Sequence, residues 1–223
     1  CAGLDGLPLA LTLAGARVLL LGTAALRERL GDRLRLLQRG GPDAEGRHHS
    51  LQAALDWSHD LLAPAEQRLL RRLGVFAGSF ELDSVRQLAG DDELQDWVLL
   101  DALQALIDLS LVEPDSAALQ GDAAPRHHLH ETLRAYALQH LHASGEAAAL
   151  QQRHAHHLLA LARQTAGDNM RPVLADAEID NLRAALAWAL EHDVVLALQL
   201  ANSANTFFRQ RGHHGEAARV AAR

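Results

Sequence analysis

Apolar residues recur at helical spacing along almost the whole chain, and a glycine stands where one periodic run stops and the next begins. Leu9, Leu13, Ala16 and Leu20 follow Pro8, which suits a first helical turn, and Gly22 closes the run. Thr23 caps a second short helix, with Leu26 and Leu30 on its apolar face and Gly31 at its end. Arg39 to His49, with Gly40, Gly41, Pro42 and Gly46, reads as a linker. Three helices are then expected in quick succession: Leu51 to Leu62 after Ser50, Pro64 to Gly74, and Asp83 to Ala89 before Gly90. The next, Glu93 to Ser110, is the most periodic of this group, with Leu99, Ala102, Leu103, Leu106 and Ile107 on one face.

Two short antiparallel strands are expected at Leu111 to Glu113 and Arg126 to His130, joined by a Pro-, Asp-, Ser-, Ala- and Gly-bearing segment of expected mobility. Helices followed by a small hairpin are the layout of a winged helix. Beyond it the chain is helical again, over Glu131 to Ser144, Glu146 to Ala166, Ala177 to His192 and Val194 to Arg211, with Gly145, Gly167 and Gly212 as stops. Helix pairs of this length joined by short turns suggest a tetratricopeptide-like array, and a further helix beginning before Arg223 suggests that the parent protein continues. The expected fold is therefore mainly α, in three parts: a helical segment over residues 1–40, a winged-helix domain over 41–132, and truncated TPR-like helical repeats over 133–223.

With 48% hydrophobic and 22% charged residues among 223, the chain can bury real cores. Its longest unbroken apolar run, Ala184 to Leu190, is far short of the roughly 18 to 20 residues of a membrane span. Cys1 is the single cysteine, so no intramolecular disulfide can form and a reducing, cytoplasmic setting is expected. Cys1 as a lipid-modified terminus has no preceding signal in the sequence to support it, and a cut inside a longer protein is the simpler account. All 21 basic residues are Arg, a usage that hints at a GC-rich bacterial genome.

LDGLPLAL at Leu4 to Leu11, SLQAALDWSHDLL at Ser50 to Leu62, LGVFAGSFEL at Leu73 to Leu82, HHLHETLRAYA at His127 to Ala137 and EIDNLRAALAW at Glu178 to Trp188 occur in one order. Together they resemble the STAND ATPases related to NB-ARC proteins, found in large bacterial transcription regulators of the LuxR and antibiotic-regulatory types. The resemblance implies an ATPase core upstream of Cys1, ATP or ADP as the cofactor of the full-length protein and none in this fragment. It also implies that nucleotide exchange shifts how the winged helix packs, while the helical array senses a protein or small-molecule signal. By the family's motifs Pro8 matches the proline that packs near adenine. His130, within Leu129, His130 and Glu131, matches the histidine of the Met-His-Asp motif that approaches phosphates. Leu and Glu in place of Met and Asp are a departure from that motif, and Pro8 and His130 are equally readable as a first-turn proline and a helix cap.

Chemistry within this sequence is not expected. A P-loop needs a lysine among Gly-rich backbone amides, and there is no lysine. Ser58 and His59 are adjacent and so diverge on a helix, without a nucleophile elbow. His154 with His157, and His127 with His128 and His130, invite a metal, but no Cys, Asp or Glu ligand set accompanies them at a recognised spacing, and His154 and His157, beside the apolar line of Leu150, Leu158 and Leu161, are read as packed or half-buried histidines. Trp57, Trp97, Trp188, Phe207 and Phe208 lie among aliphatics and are read as core.

DNA contact is not expected either. Residues 41–132 hold six Arg against seventeen acids, and Glu93 to Ser110, the helix that would enter a groove, carries Glu93, Asp96, Asp101 and Asp108 without one Arg. The expected partners are the upstream core of the same chain, reached through a basic surface, and an unidentified signal. A free-standing scaffold of TPR-like repeats and a DNA-binding winged helix are the alternatives.

Overall fold

The computed structural model describes residues 52, 54–115, 124–166 and 177–210. In chain order they form α1 (54–60), α2 (Pro64–Leu73), β1 (Phe80–Glu81), α3 (Leu82–Ala89), α4 (Asp96–Asp108), β2 (Glu113–Pro114), β3 (Arg126–His128), α5 (Glu131–Ala143), α6 (Ala147–Ala166), α7 (Ile179–His192) and α8 (Val194–Gln210). The fold is mainly helical, with a winged helix carrying a small antiparallel sheet. The chain divides into two compact units, Cys1–Leu70 with Glu93–Glu113, and Arg71–Asp92 with Pro114–Arg223. The expected segment over residues 1–40 and the linker at Arg39 to His49 lie outside the described residues.

Local chemistry explains where the helices begin and end. Pro64 occupies the first position of α2, where its missing N–H costs nothing, and the Glu66 carboxylate reaches back to the Ala63 N–H at 2.9 Å, half of a capping box. The helix expected over Glu93 to Ser110 is observed as Asp96–Asp108, because Gln95 turns to an extended conformation at its N-cap. Leu94 and Leu99, each 1% exposed, take the two positions of a hydrophobic staple around that cap. At the other end Ser110 adopts φ 55° and donates to the Ile107 carbonyl at 2.8 Å, while the Leu111 N–H reaches the Leu106 carbonyl at 2.9 Å. Gly145, at φ 78°, closes α5 in the same left-handed region, as expected of that glycine.

The sheet has the order β1-β3-β2. β1, which sequence patterning did not reveal, pairs antiparallel with β3 in the register Phe80 to His127 and Glu81 to Arg126. Expected at Leu111 to Glu113, the second strand instead occupies Glu113–Pro114, since Leu111 and Val112 are buried ahead of it. Pro114 is tolerated there because β2 is an edge strand. The expected mobile segment of the hairpin falls largely on residues 116–123, outside the described residues.

In the first unit the core includes Trp57, Leu69, Leu99, Leu103 and Leu106. α4 buries Leu99, Ala102, Leu103 and Leu106, the stripe expected of it, with Ile107 at its half-buried margin. In the second unit α6, α7 and α8 pack on one another around Leu158, Leu182, Ala185, Leu196 and Leu200. A single residue turns α7 into α8: Asp193 ends the first and accepts from the Leu196 N–H at 3.0 Å to cap the second. Among the described residues no helix is long and apolar enough to cross a membrane.

Candidate functional site: a buried polar clamp and an acidic helix face

Between α2 and β1 the chain runs through Gly74 to Ser79, whose backbone groups have no regular ladder to join. Gly74 makes the entry possible: a Cβ there would come within 2.8 Å of the Leu138 backbone nitrogen. Three side chains from later elements then supply the missing hydrogen bonds. Arg134 of α5 donates from Nε to the Phe76 carbonyl at 2.6 Å. Asn181 of α7 accepts from the Ala77 and Gly78 N–H groups at 2.8 and 2.9 Å, and donates from Nδ2 to the Ser79 carbonyl at 2.9 Å and to Glu178 Oε2 at 2.7 Å. Arg126 of β3 donates from Nη2 to the Ser79 carbonyl at 2.7 Å and from Nε to Ser79 Oγ at 2.9 Å.

Asn181, 0% exposed, thereby uses both lone pairs of its carbonyl and both amide hydrogens. Arg126 completes itself with two carboxylates, Glu178 Oε1 at 2.6 Å and Glu81 Oε1 at 2.9 Å. Arg126 and Glu178 are 4% and 7% exposed at their side chains, so the pair is removed from water and each charge depends on the other. The result is a polar clamp that ties the loop before the sheet to the first turn of α7.

A second ionic knot lies at the start of α6. Glu146 receives Arg71 Nη2 at 2.9 Å and Arg72 Nε at 3.0 Å, and Arg72 also reaches Asp91 at 2.7 Å and the Ala89 carbonyl at 2.7 Å. Burial works to raise the Glu146 carboxyl, but the hydrogen bonds and charges of Arg72 and Arg71 prevail and hold it at about 2.

The histidines separate into different environments. His154 is 2% exposed and meets the Phe76 ring edge-on at 5.4 Å, and its Nε2 has no hydrogen-bond partner among the described residues. Burial, reinforced by His157 and Arg134, pushes it down to about 3, so it is neutral in ordinary buffers. One turn on, His157 faces Gln87 Oε1 at 3.0 Å and Ser84 Oγ at 3.1 Å. An amide oxygen only accepts, which puts the His157 proton on Nδ1 and leaves Nε2 to accept from the serine. His154 is thus buried, whereas His157 is half-buried and held by polar partners. Among the described residues no group of three or more His, Cys, Asp or Glu is placed to hold a metal ion.

Of the two residues matched to a nucleotide role, Pro8 lies outside the described residues. His130 is exposed and caps α5, its Nδ1 accepting from the Thr132 N–H at 3.4 Å. Trp57 and Ser58 are buried at 5% and 1%. Trp188 is half-buried and stacks on His192 at 4.9 Å, whereas the side chains of Phe207 and Phe208 lie outside the described residues. Trp97 corrects the expectation of a core residue: it is 79% exposed. Its position on α4 explains this, because Trp97, Asp101, Gln104 and Asp108 follow one another at helical spacing on the side away from the buried stripe. Val98 beside it is 42% exposed, Asp96 opens the helix, and the whole of α4 contains no basic residue.

Residues 62–142 match the family of the winged helix-turn-helix domain. A protein of Mycobacterium tuberculosis named as an HTH-type transcriptional regulator is 43% identical over 139 residues, covering 62% of this chain and 15% of its own length. Its counterpart in Mycobacterium bovis matches equally. An uncharacterized protein of M. tuberculosis is 38% identical over 140 residues, again 62% of this chain and 35% of that protein. The chain thus spans about a seventh to a third of the curated relatives it matches. No solved structure matches it. Described residues 62–115 and 124–142 accordingly form a winged helix-turn-helix domain, in a chain that is similar over 139 residues to part of mycobacterial proteins that carry the name of HTH-type transcriptional regulators.

Proposed function

We propose that this chain is a regulatory portion of a transcription regulator, in which the winged helix makes contacts with protein and not with DNA. The observation that carries the reading is the outward line of α4, Trp97, Asp101, Gln104 and Asp108, on a helix without one Arg. Winged helices that read DNA gain affinity by neutralising phosphates, and this helix would be repelled along its length. The names of the mycobacterial relatives support a regulatory setting. The helices α6 to α8 suit a sensing array of tetratricopeptide type, and the clamp through Arg126, Glu178 and Asn181 ties the first turn of α7 to the loop before the sheet.

The finer reading follows the sequence resemblance. The parent protein is a STAND ATPase, cytoplasmic, with ATP or ADP bound upstream, and this portion conveys nucleotide state and an incoming signal without hydrolysing ATP itself. Pro8 and His130 are the residues that would approach that nucleotide. Population shift between two packings of the winged helix is the physical mechanism.

The winged-helix match itself favours a second reading, direct DNA binding. An electrophoretic mobility shift with duplex DNA at low salt separates the two: the chain is expected to leave the duplex unretarded, and a salt-dependent retardation would sink the protein-contact reading. In the full-length protein, nucleotide affinity lowered by His130→Ala is expected. Unchanged affinity would remove His130 from the nucleotide reading.

A further inference from the structure

We infer that the outward face of α4 is a docking surface for an arginine-bearing amphipathic helix of a partner protein, an inference that rests on the protein-contact reading above and names its occupant. The face combines two features that rarely share a solvated helix. Trp97, 79% exposed, leaves an indole in water on the outward line of the helix. Asp101 lies one turn on from the indole on the same side of the helix, and Asp108, which accepts from Gln104 Nε2 at 2.8 Å, continues the negative line toward the helix end.

Complementarity selects the occupant. A guanidinium is planar, so it stacks on an indole face while its N–H fork reaches a neighbouring carboxylate; an ammonium makes only the point contact. Duplex DNA is excluded by sign, and an acidic peptide likewise. From Trp97 to Asp108 the face runs about 16 Å at 1.5 Å per residue, three turns, which a partner helix of similar length covers with Arg on successive turns. α4 itself carries no cation to compete for Asp101.

The test uses the whole chain and a fluorescein-labelled helical peptide of eighteen or so residues, with Arg and Leu on one face, beside its Lys-for-Arg and Glu-for-Arg counterparts. Anisotropy titrations are expected to show salt-sensitive binding of the Arg peptide, several-fold weaker binding of the Lys peptide and none of the Glu peptide. Trp97→Ala and Asp101→Asn are each expected to weaken the Arg peptide at least five-fold, with the circular dichroism spectrum unchanged. Glu191→Gln, an equal change of charge at an exposed site of α7, is expected to leave it unaltered. Equal losses in Asp101→Asn and Glu191→Gln would reduce the binding to net charge and overturn the inference, as would indifference to Trp97→Ala or no binding at all. Those results leave the protein-contact reading standing if DNA is still unretarded; retardation of DNA by the α4 face removes both.

Discussion

The loop from Gly74 to Ser79 and the outer face of α4 both gather polar groups in one winged helix, and they use them in opposite ways. Around the loop the charge of Arg126 is inside and matched, holding two carboxylates and the Ser79 carbonyl, and Asn181 spends all four of its hydrogen bonds. On α4 the Asp101 carboxylate stands exposed on the same side as an exposed indole. Buried polarity of the first kind fixes one conformation, because any alternative strands a desolvated charge. Exposed polarity of the second kind costs the fold almost nothing and remains available to a partner. The contrast is therefore a separation between residues that hold the domain and residues that present it.

The largest effects should come from the clamp. Arg126→Ala leaves Glu178 charged and buried, and a loss of about 3–5 kcal/mol is expected. Asn181→Ala strands the N–H groups of Ala77 and Gly78 for about 2–4 kcal/mol. Urea denaturation followed by circular dichroism measures both. The double variant should cost less than the sum, since the two side chains share the Ser79 carbonyl and Glu178. A cost below about 1 kcal/mol for Arg126→Ala would erase the distinction between the two regions.

Glu146 belongs with the clamp in kind but is more exposed, so about 1–3 kcal/mol is expected for Glu146→Gln at neutral pH. Its folded carboxyl is depressed from 4.5 to about 2, so its contribution is complete above 4.5 and is lost as the pH falls toward 2. Stability measured across that window should fall less steeply in the variant. An unchanged slope would show that Arg71 and Arg72 do not hold the charge.

His154 is the exception that sharpens the rule, a buried polar group without full satisfaction. Its folded pKa is lowered from 6.5 to about 3, so below 6.5 the unfolded chain takes up a proton that the native one refuses, and stability falls with pH. His154→Leu removes the unpartnered Nε2 and is expected to be neutral or stabilising by about 1 kcal/mol at pH 7. Between pH 6.5 and 4.5, above the range where Glu146 acts, its pH slope should flatten. His127 and His157, both also lowered by burial, leave a remainder.

What could be read from the sequence divides along the same line. Helices whose apolar periodicity is local were legible, including the buried stripe of α4 and the stop at Gly145. β1 was not, since two residues, Phe80 and Glu81, are too few to show a period, and their pairing with Arg126 and His127 is remote in sequence. The clamp escaped for the same reason: Arg126 and Asn181 meet only through the fold. A signal was present all the same, for Glu178 and Asn181 stand three residues apart immediately before Leu182 on the inward side of α7, where polar residues need partners. Trp97 was misplaced by judging its hydrophobicity instead of its helical phase with Asp101.

A smaller effect, about 0.5–1 kcal/mol and favourable, is expected at the end of α4. Ser110 carries φ 55° at the position where glycine is preferred, and Ser110→Gly relieves that strain at a modest cost in unfolded-chain entropy. A rise of a few degrees in Tm is the measurement. Destabilisation would mean that the Ser110 side chain contributes more than its backbone costs.

On the face of α4 itself the expected change is the smallest. Asp101 and Trp97 are both exposed and have little buried area to lose, so Asp101→Asn and Trp97→Phe should each shift unfolding by no more than about 0.5 kcal/mol. The near-zero value is informative because Asp101 lies beyond the first turn of α4, where the positive helix end no longer favours an acid. If either substitution cost as much as Asn181→Ala, Trp97 and Asp101 would be holding the fold. Retained stability together with lost peptide binding would instead assign them to recognition alone.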